Sequence, residues 1–185
     1  WLDCSSGVAG DMVLGALVDA GVPVDVMRAA VDAVAPEPLS LRVEETRRAG
    51  LRAIRVHVDA AESETTRTWA DIRALLHPRR ITATVRARAT ATCERLATAE
   101  GRVHGIAPAE VHFHEVGALD AIADIVGAAA GFDHLGLQEL QVSPVALGSG
   151  TVRTAHGTLP VPPPAVVELL RGVPTFGGPA DRELA

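Results

Sequence analysis

Two imidazoles and three carboxylates stand close together between residues 112 and 124: His112, His114, Glu115, Asp120 and Asp124. His112 and His114 are two apart, so on an extended strand both rings point the same way and can share one ion. Asp120 and Asp124 follow on a helical pattern in which, from Ala121 to Phe132, Asp124 is the only polar residue. A carboxylate in so apolar a setting loses water on folding, and an unpaired buried charge is too costly to persist. It requires a metal, a cation or a proton, and five such groups together point to metal binding or acid–base work. Asp120, at the start of the pattern, is explained by helix capping alone. Asp124 is not, since a wheel sets it opposite Ile122, Ile125, Val126 and Ala129 and beside Gly127 and Gly131. Small residues there permit close approach of another backbone or a ligand.

The N-terminus repeats this arrangement. Asp3 and Cys4 end a short strand, Gly7 and Gly10 allow backbone amides to converge, and Asp11 opens an otherwise apolar helix. A strand, glycine turn and helix start can hold an anion, although Asp11 repels phosphate unless a cation bridges the two. The Lys-Ser/Thr ending of a P-loop is missing. Cys4 reads either as a soft metal donor or as core. Of the remaining histidines, His57 lies on the solvated face of a strand, and His104 is explained by the dipole of the helix it ends. His77 and His134 lack clustered partners. His156 and Arg153 lie in the loop RTAHGTLPVPPP, expected to be rigid without secondary structure, and remain candidates because ordered loops often carry function.

The elements that must position these groups alternate between helix and strand periods. A short strand over Trp1–Cys4 is followed by a helix from Asp11 to Gly21 and a second from Val24 to Val34. Leu39, Leu41 and Val43 alternate on one face, then Ile54, Val56 and Val58 across a turn at Gly50, which is a hairpin pattern. After a polar loop from Ala60 to Arg67 come a short helix (Trp69–Leu76) and the longest one (Ile81–His104), ended by Gly105. The HFHE segment leads into a helix reaching Leu135. Strands over Leu140–Val145 and Thr151–Thr154 and a final helix after the proline run complete the chain. The expected fold is α/β of the α+β type: a mixed sheet including the hairpin, covered by five to six helices in one compact domain over residues 1–185.

Of 185 residues, 48% are hydrophobic, which excludes a disordered chain. Arginine carries all the positive charge, with no lysine, and the net charge of −6 argues against a nucleic-acid surface. Two distant cysteines make neither a disulfide framework nor a metal knuckle, so reduced thiols in a cytoplasmic protein are expected. No apolar run reaches membrane-spanning length. A chain opening on Trp1 and stopping at Ala185 is expected to be a fragment. On residues alone, an Mg²⁺- or Mn²⁺-dependent phosphohydrolase or nucleotidyl-transfer domain using Asp3, Asp11, Asp120 and Asp124 stays open. So does a non-enzymatic metal-binding or scaffold domain whose chemistry lies elsewhere.

Four blocks in order resemble one family: WLDCSSGVAGDMVLGALVDAG, VHGIAPAEVHFHEVGALDAIADIVGAA, VSPVALGSGTVRTAHGTLPVPPPAVVELL and GVPTFGG. They are similar to the LarC family of nickel insertion proteins for the nickel-pincer cofactor of lactate racemase. The resemblance implies a CTP-dependent nickel cyclometallase, a chelatase-type lyase, acting on pyridinium-3,5-bisthiocarboxylic acid mononucleotide with Mg²⁺ or Mn²⁺ assisting. Under it, His112 and His114 are expected to hold nickel, with Asp120 and Asp124 supporting them or binding a second cation. Asp3 and Asp11 would face the same cleft, and Glu115 or His156 would serve as base. Ser6, Gly7, Gly10 and Arg153 are the expected cofactor contacts. The chain reads Thr66-Arg67-Thr68 where members carry a histidine-rich stretch, and the family's C-terminal, CTP-associated domain is expected to be a partner of this portion. A homo-oligomer stays open.

Overall fold

The computed structural model describes residues 1–60, 67–77, 80–113, 119–154 and 156–185. Helix α1 (Gly10–Asp19) and helix α2 (Val24–Asp32) lead into a hairpin of β1 (Leu39–Arg48) and β2 (Leu51–Ala60). Leu41 pairs with Val58 and Val43 with Val56, so the alternating apolar residues share one face, and Leu41 and Val56 are its buried anchors. The two-residue turn has positive φ at both Ala49 (50°) and Gly50 (83°), the pattern that matches the right-handed twist of paired strands.

Strand β3 (Arg67–Thr68) pairs antiparallel with β4 (His112–Phe113). Helix α3 (Trp69–Leu75) begins with a reciprocal cap between Thr68 and Asp71. Helix α4 (Ala83–His104) starts at Thr82, whose hydroxyl accepts from the Val85 amide, and stops at Gly105 in the left-handed region. Helix α5 (Leu119–His134) packs on α1, α2 and α4 at once and is the centre of the hydrophobic core. Strands β5 (Val145–Ala146), β6 (Thr151–Thr154) and β7 (Gly157–Pro160), helix α6 (Pro164–Leu169) and strand β8 (Thr175–Phe176) follow.

The α+β class and the six α-helices among the described residues agree with expectation, while the described strands pair two by two in four separate sheets. The N-terminal strand is reduced to a parallel bridge between Leu2 and Val142, continued by Ala146 N–H donating to the Cys4 carbonyl. The loop around His156 is not free of secondary structure: β6 and β7 pair from Thr151↔Pro160 to Thr154↔Gly157, and His156 sits at their turn. Arg67, assigned to a polar loop, is buried in β3 and paired with Glu37 at 2.8 Å. None of the described helices is long and apolar enough to cross a membrane.

The helix pair that carries Asp124 is tightly apposed. On α1, Gly10, Leu14 and Leu17 meet Asp124, Gly127 and Gly131 of α5 in that order, so the two helices run in the same sense where they touch. A Cβ at Gly10 would fall on the Asp124 carboxylate, and one at Gly127 would come within 2.9 Å of Leu14 Cδ2. Gly15 presses α1 onto the Ile54 carbonyl of β2. The small residues beside Asp124 thus serve close helix packing. The wheel's opposition of Asp124 to Ile125 and Ala129 needs correction, because all three line one cavity.

Candidate metal centre and ligand clefts

Asp124 sits one turn into α5, backed by Gly10 of α1. Its Oδ1 is shielded from solvent and has no hydrogen-bond partner. Burial, with the charges of Asp11 and then Asp120 adding to it, pushes its carboxyl up to about 7. Asp11 does not cap α1: the helix is preceded by Ala9, without a side-chain cap bond, and Asp11 lies in the first turn. Asp120, read as a cap, likewise lies within the first turn of α5, where its Oδ1 accepts from the adjacent Ala121 amide at 2.9 Å. Three acids therefore gather at the N-terminal ends of two helices running in the same sense, where the helix dipoles favour negative charge.

Asp3 has a different occupation. Its Oδ1 accepts from the Ser5 amide at 2.9 Å and from Ser143 Oγ at 3.4 Å, and these bonds hold its carboxyl below the ordinary value. The glycine turn beside it is largely self-satisfied: Gly7 N–H donates to the Cys4 carbonyl and Val8 N–H to the Leu184 carbonyl. A Cβ at Gly7 would collide with Leu184, so that glycine serves the approach of the C-terminal segment. Ser6 is exposed on the same turn. Cys4 is core: it is buried, its amide donates to Ser143 Oγ at 2.7 Å, and burial raises its thiol pKa.

The histidines converge elsewhere. A cleft of about 480 Å³ is lined by His112 from β4, His104 and Glu100 from α4, Arg153 and His156 from the β6–β7 hairpin, and Glu183. The His104 and His156 rings lie 5.0 Å apart, and His104 Nε2 stands 3.4 Å from Glu100 Oε2. His112, Arg153 and His156, three separate candidates along the sequence, line this one cleft together. His104 joins them although the helix dipole had accounted for it. Its partner lies 52 positions away (156 − 104), beyond the reach of local periodicity. His114 and Glu115 lie outside the described residues. Among the described residues no group of three or more His, Cys, Asp or Glu side chains is placed to hold a metal ion by itself.

His57 pairs with Glu44 at 2.7 Å on the hairpin's outer face, in keeping with a solvated role. Thr68 and Arg67, at the position of the histidine-rich stretch of the resembling family, are consumed by the α3 cap and the Glu37 ion pair.

What this geometry defines is a compact α+β unit with an acid-bearing apolar cavity and a separate imidazole-lined cleft, suited to handling an ion and a small charged ligand. The chain belongs to the nickel insertion protein family, whose model matches residues 1–185. It is 62% identical over 183 residues to the pyridinium-3,5-bisthiocarboxylic acid mononucleotide nickel insertion protein of a Nocardioides species, covering 99% of this chain and 47% of that protein. It is 41% identical over 185 residues to the protein of the same name from Desulfitobacterium hafniense, covering all of this chain and 46% of that one. The chain spans about half the length of the curated relatives it matches. No solved structure matches it.

Proposed function

We propose that this chain carries the nickel-handling part of an enzyme that inserts Ni²⁺ into pyridinium-3,5-bisthiocarboxylic acid mononucleotide, in maturation of the nickel-pincer cofactor of lactate racemase. The observation that supports it most is the buried, unpartnered Oδ1 of Asp124 in a member of the nickel insertion family. A carboxyl that titrates near 7 exchanges its proton for a divalent cation at little cost, then takes the proton back when the cation leaves. An ion that must be handed on is better served by such an exchangeable site than by a closed tetrahedral one. Imidazole and carboxylate donors both suit Ni²⁺.

In this reading Asp124 is the carboxylate station, with Asp11 and Asp120 adding negative potential. His112 and His114 supply imidazole donors, and His156, held near His104, belongs to the same traffic. Forming a Ni–C bond replaces a ring C–H proton by the metal, and that proton needs an acceptor with a pKa near neutrality. Glu115 and His156 are the groups assigned to it. Asp3 acts indirectly, by holding the turn that leads into α1.

CTP with Mg²⁺ or Mn²⁺ does not fit the described residues. The Gly7 and Val8 amides are taken by the chain itself and Gly10 faces a carboxylate, so the glycine turn offers no cradle for a triphosphate. Arg153, on the hairpin, is the cationic contact retained for an anionic group of the mononucleotide. We assign the nucleotide to the remainder of the longer polypeptide. Cys4 and Cys93 are free and buried, which suits the reducing cytoplasm.

The test is nickel incorporation into the mononucleotide by the full-length protein, followed by mass spectrometry. Asp124→Asn is expected to slow it by at least about tenfold, the scale of losing one charged contact. The double substitution His112→Ala/His114→Ala is expected to reduce nickel bound at equilibrium. Wild-type incorporation by Asp124→Asn would overturn the assignment.

A further inference from the structure

The cavity beside Asp124, about 590 Å³, contains a second buried polar group that nickel handling leaves unused. Arg88 of α4 lines it. Its Nη2 donates to the Leu137 carbonyl at 2.8 Å, which fixes the guanidinium plane. Its Nη1 is shielded from solvent and has no hydrogen-bond partner. Asp124 Oδ1, on α5, is in the same condition, and the two residues are not ion-paired with each other within 4.0 Å. An unsatisfied buried donor on a cation is costly, more so than a neutral one. Two such groups of opposite sign in one cavity point to a ligand that completes both.

The rest of the cavity narrows the ligand's chemistry. Val13, Ile125, Ala128 and Phe132 make its walls apolar, and the volume falls in the range of small-molecule sites. Among the described residues, Glu139 is the only other ionisable one on its lining, exposed and accepting from Gln141 Nε2 at 2.9 Å. Apolar walls suit a ring, the guanidinium edge suits a carboxylate-type group, and Asp124 suits a cationic ring nitrogen or a metal.

We propose that this cavity binds a cationic aromatic ring bearing carboxylate-type arms, with Arg88 receiving one arm and Asp124 facing the ring or the incoming metal. The proposal rests on the reading of Asp124 as a nickel station and adds the seat of the organic substrate. The ring then lies between α4 and α5, next to the carboxylate that releases the metal.

Full-length protein without nickel is titrated by calorimetry with N-methylpyridinium-3,5-dicarboxylate and with the corresponding 3,5-dicarboxamide, whose arms are uncharged. The wild type is expected to prefer the dicarboxylate. Arg88→Met is expected to weaken dicarboxylate binding by about 10- to 100-fold and abolish the preference, leaving the dicarboxamide unaffected. Arg88→Lys keeps part of it. Loss of the Leu137 contact alone would weaken both probes equally, so charge selectivity separates binding from mere support. Ala128→Leu, which narrows the cavity but keeps the Arg88–Leu137 bond, is expected to block both probes and covers the case in which Arg88→Met fails to fold. No dicarboxylate preference in the wild type, or its survival in Arg88→Met, overturns the proposal. Nickel titration of Asp124→Asn runs in parallel. Unchanged nickel affinity there, with selectivity lost in Arg88→Met, removes the nickel station and leaves the ring site standing. The reverse result removes the ring site and keeps the station.

Discussion

Asp124 turns a single apolar helix into a device that responds to protons. Its carboxyl titrates near 7 in the folded chain, against an ordinary 3.8, so the native state holds the proton more tightly than the unfolded one. Native stability contributed by this group is therefore full below about pH 4 and declines as pH rises through 7. Thermal melts of the metal-free protein at pH 5 and pH 8 should show that decline. Asp124→Asn should reduce it by on the order of 1–3 kcal/mol. Nickel affinity should run the other way, rising with pH up to about 7 and losing that inflection in the Asn variant. Asp124 was legible in the sequence because its helix has no other polar residue from Ala121 to Phe132. Arg88 was not: in a chain where arginine supplies every permanent side-chain cation, one more on a long helix carries no signal. Only the tertiary environment shows that one of its nitrogens is buried without a partner.

At the scale of elements, the α1–α5 contact and the hairpin decide how the site is held. Gly15 touches a backbone carbonyl that has no side-chain freedom to move aside. Gly15→Ala should therefore cost about 1–3 kcal/mol in denaturant unfolding. Gly127→Ala is crowded only by the end of the Leu14 side chain, with Val31 and Met27 at ordinary contact distance, and its improved helix propensity of about 1 kcal/mol should offset much of the strain. Ala49, at φ 50° in the hairpin turn, should gain up to about 1 kcal/mol on replacement by Gly. Chemical denaturation of the three variants side by side checks all of these. Most helices and the hairpin register were readable from periodicity and stop signals, as at Gly105 and Gly50. The strands after residue 140 were less so. Two-residue pairs such as β5 with β8 depend on distant backbone rather than on alternation, and β7, with only Leu159 partly buried, has no alternating signature.

For the molecule as a whole, the two clefts draw on nearly the full length of the chain. The acid-bearing cavity takes walls from Leu2 to Leu140, and the imidazole cleft from Leu96 to Glu183. Neither cleft could be drawn from one sequence block, and His112 and Asp124, close along the chain, line different cavities. The C-terminal segment closes the assembly: Leu184 accepts from Val8 and donates to Leu147, and Gly148, at φ 86°, lies against the Arg182 carbonyl. Gly148→Val should displace that segment, seen as faster amide exchange at Val8 and Leu184 with exchange in the α4 core unchanged.

That Val8–Leu184 bond sets an order of events in time. The turn leading into α1 is completed only when a residue 176 positions later has been made and brought back (184 − 8). Closing so long a span delays a contact relative to local helices, which form first. During synthesis α4 and the hairpin are available well before the entrance to α1 is fastened, so the acid-bearing end is the last part to mature. Pulse-labelled exchange during refolding should find Val8 protected after the amides of α4. A nascent chain would then acquire its grip on a cation late, once the rest of the fold is already in place to confine it.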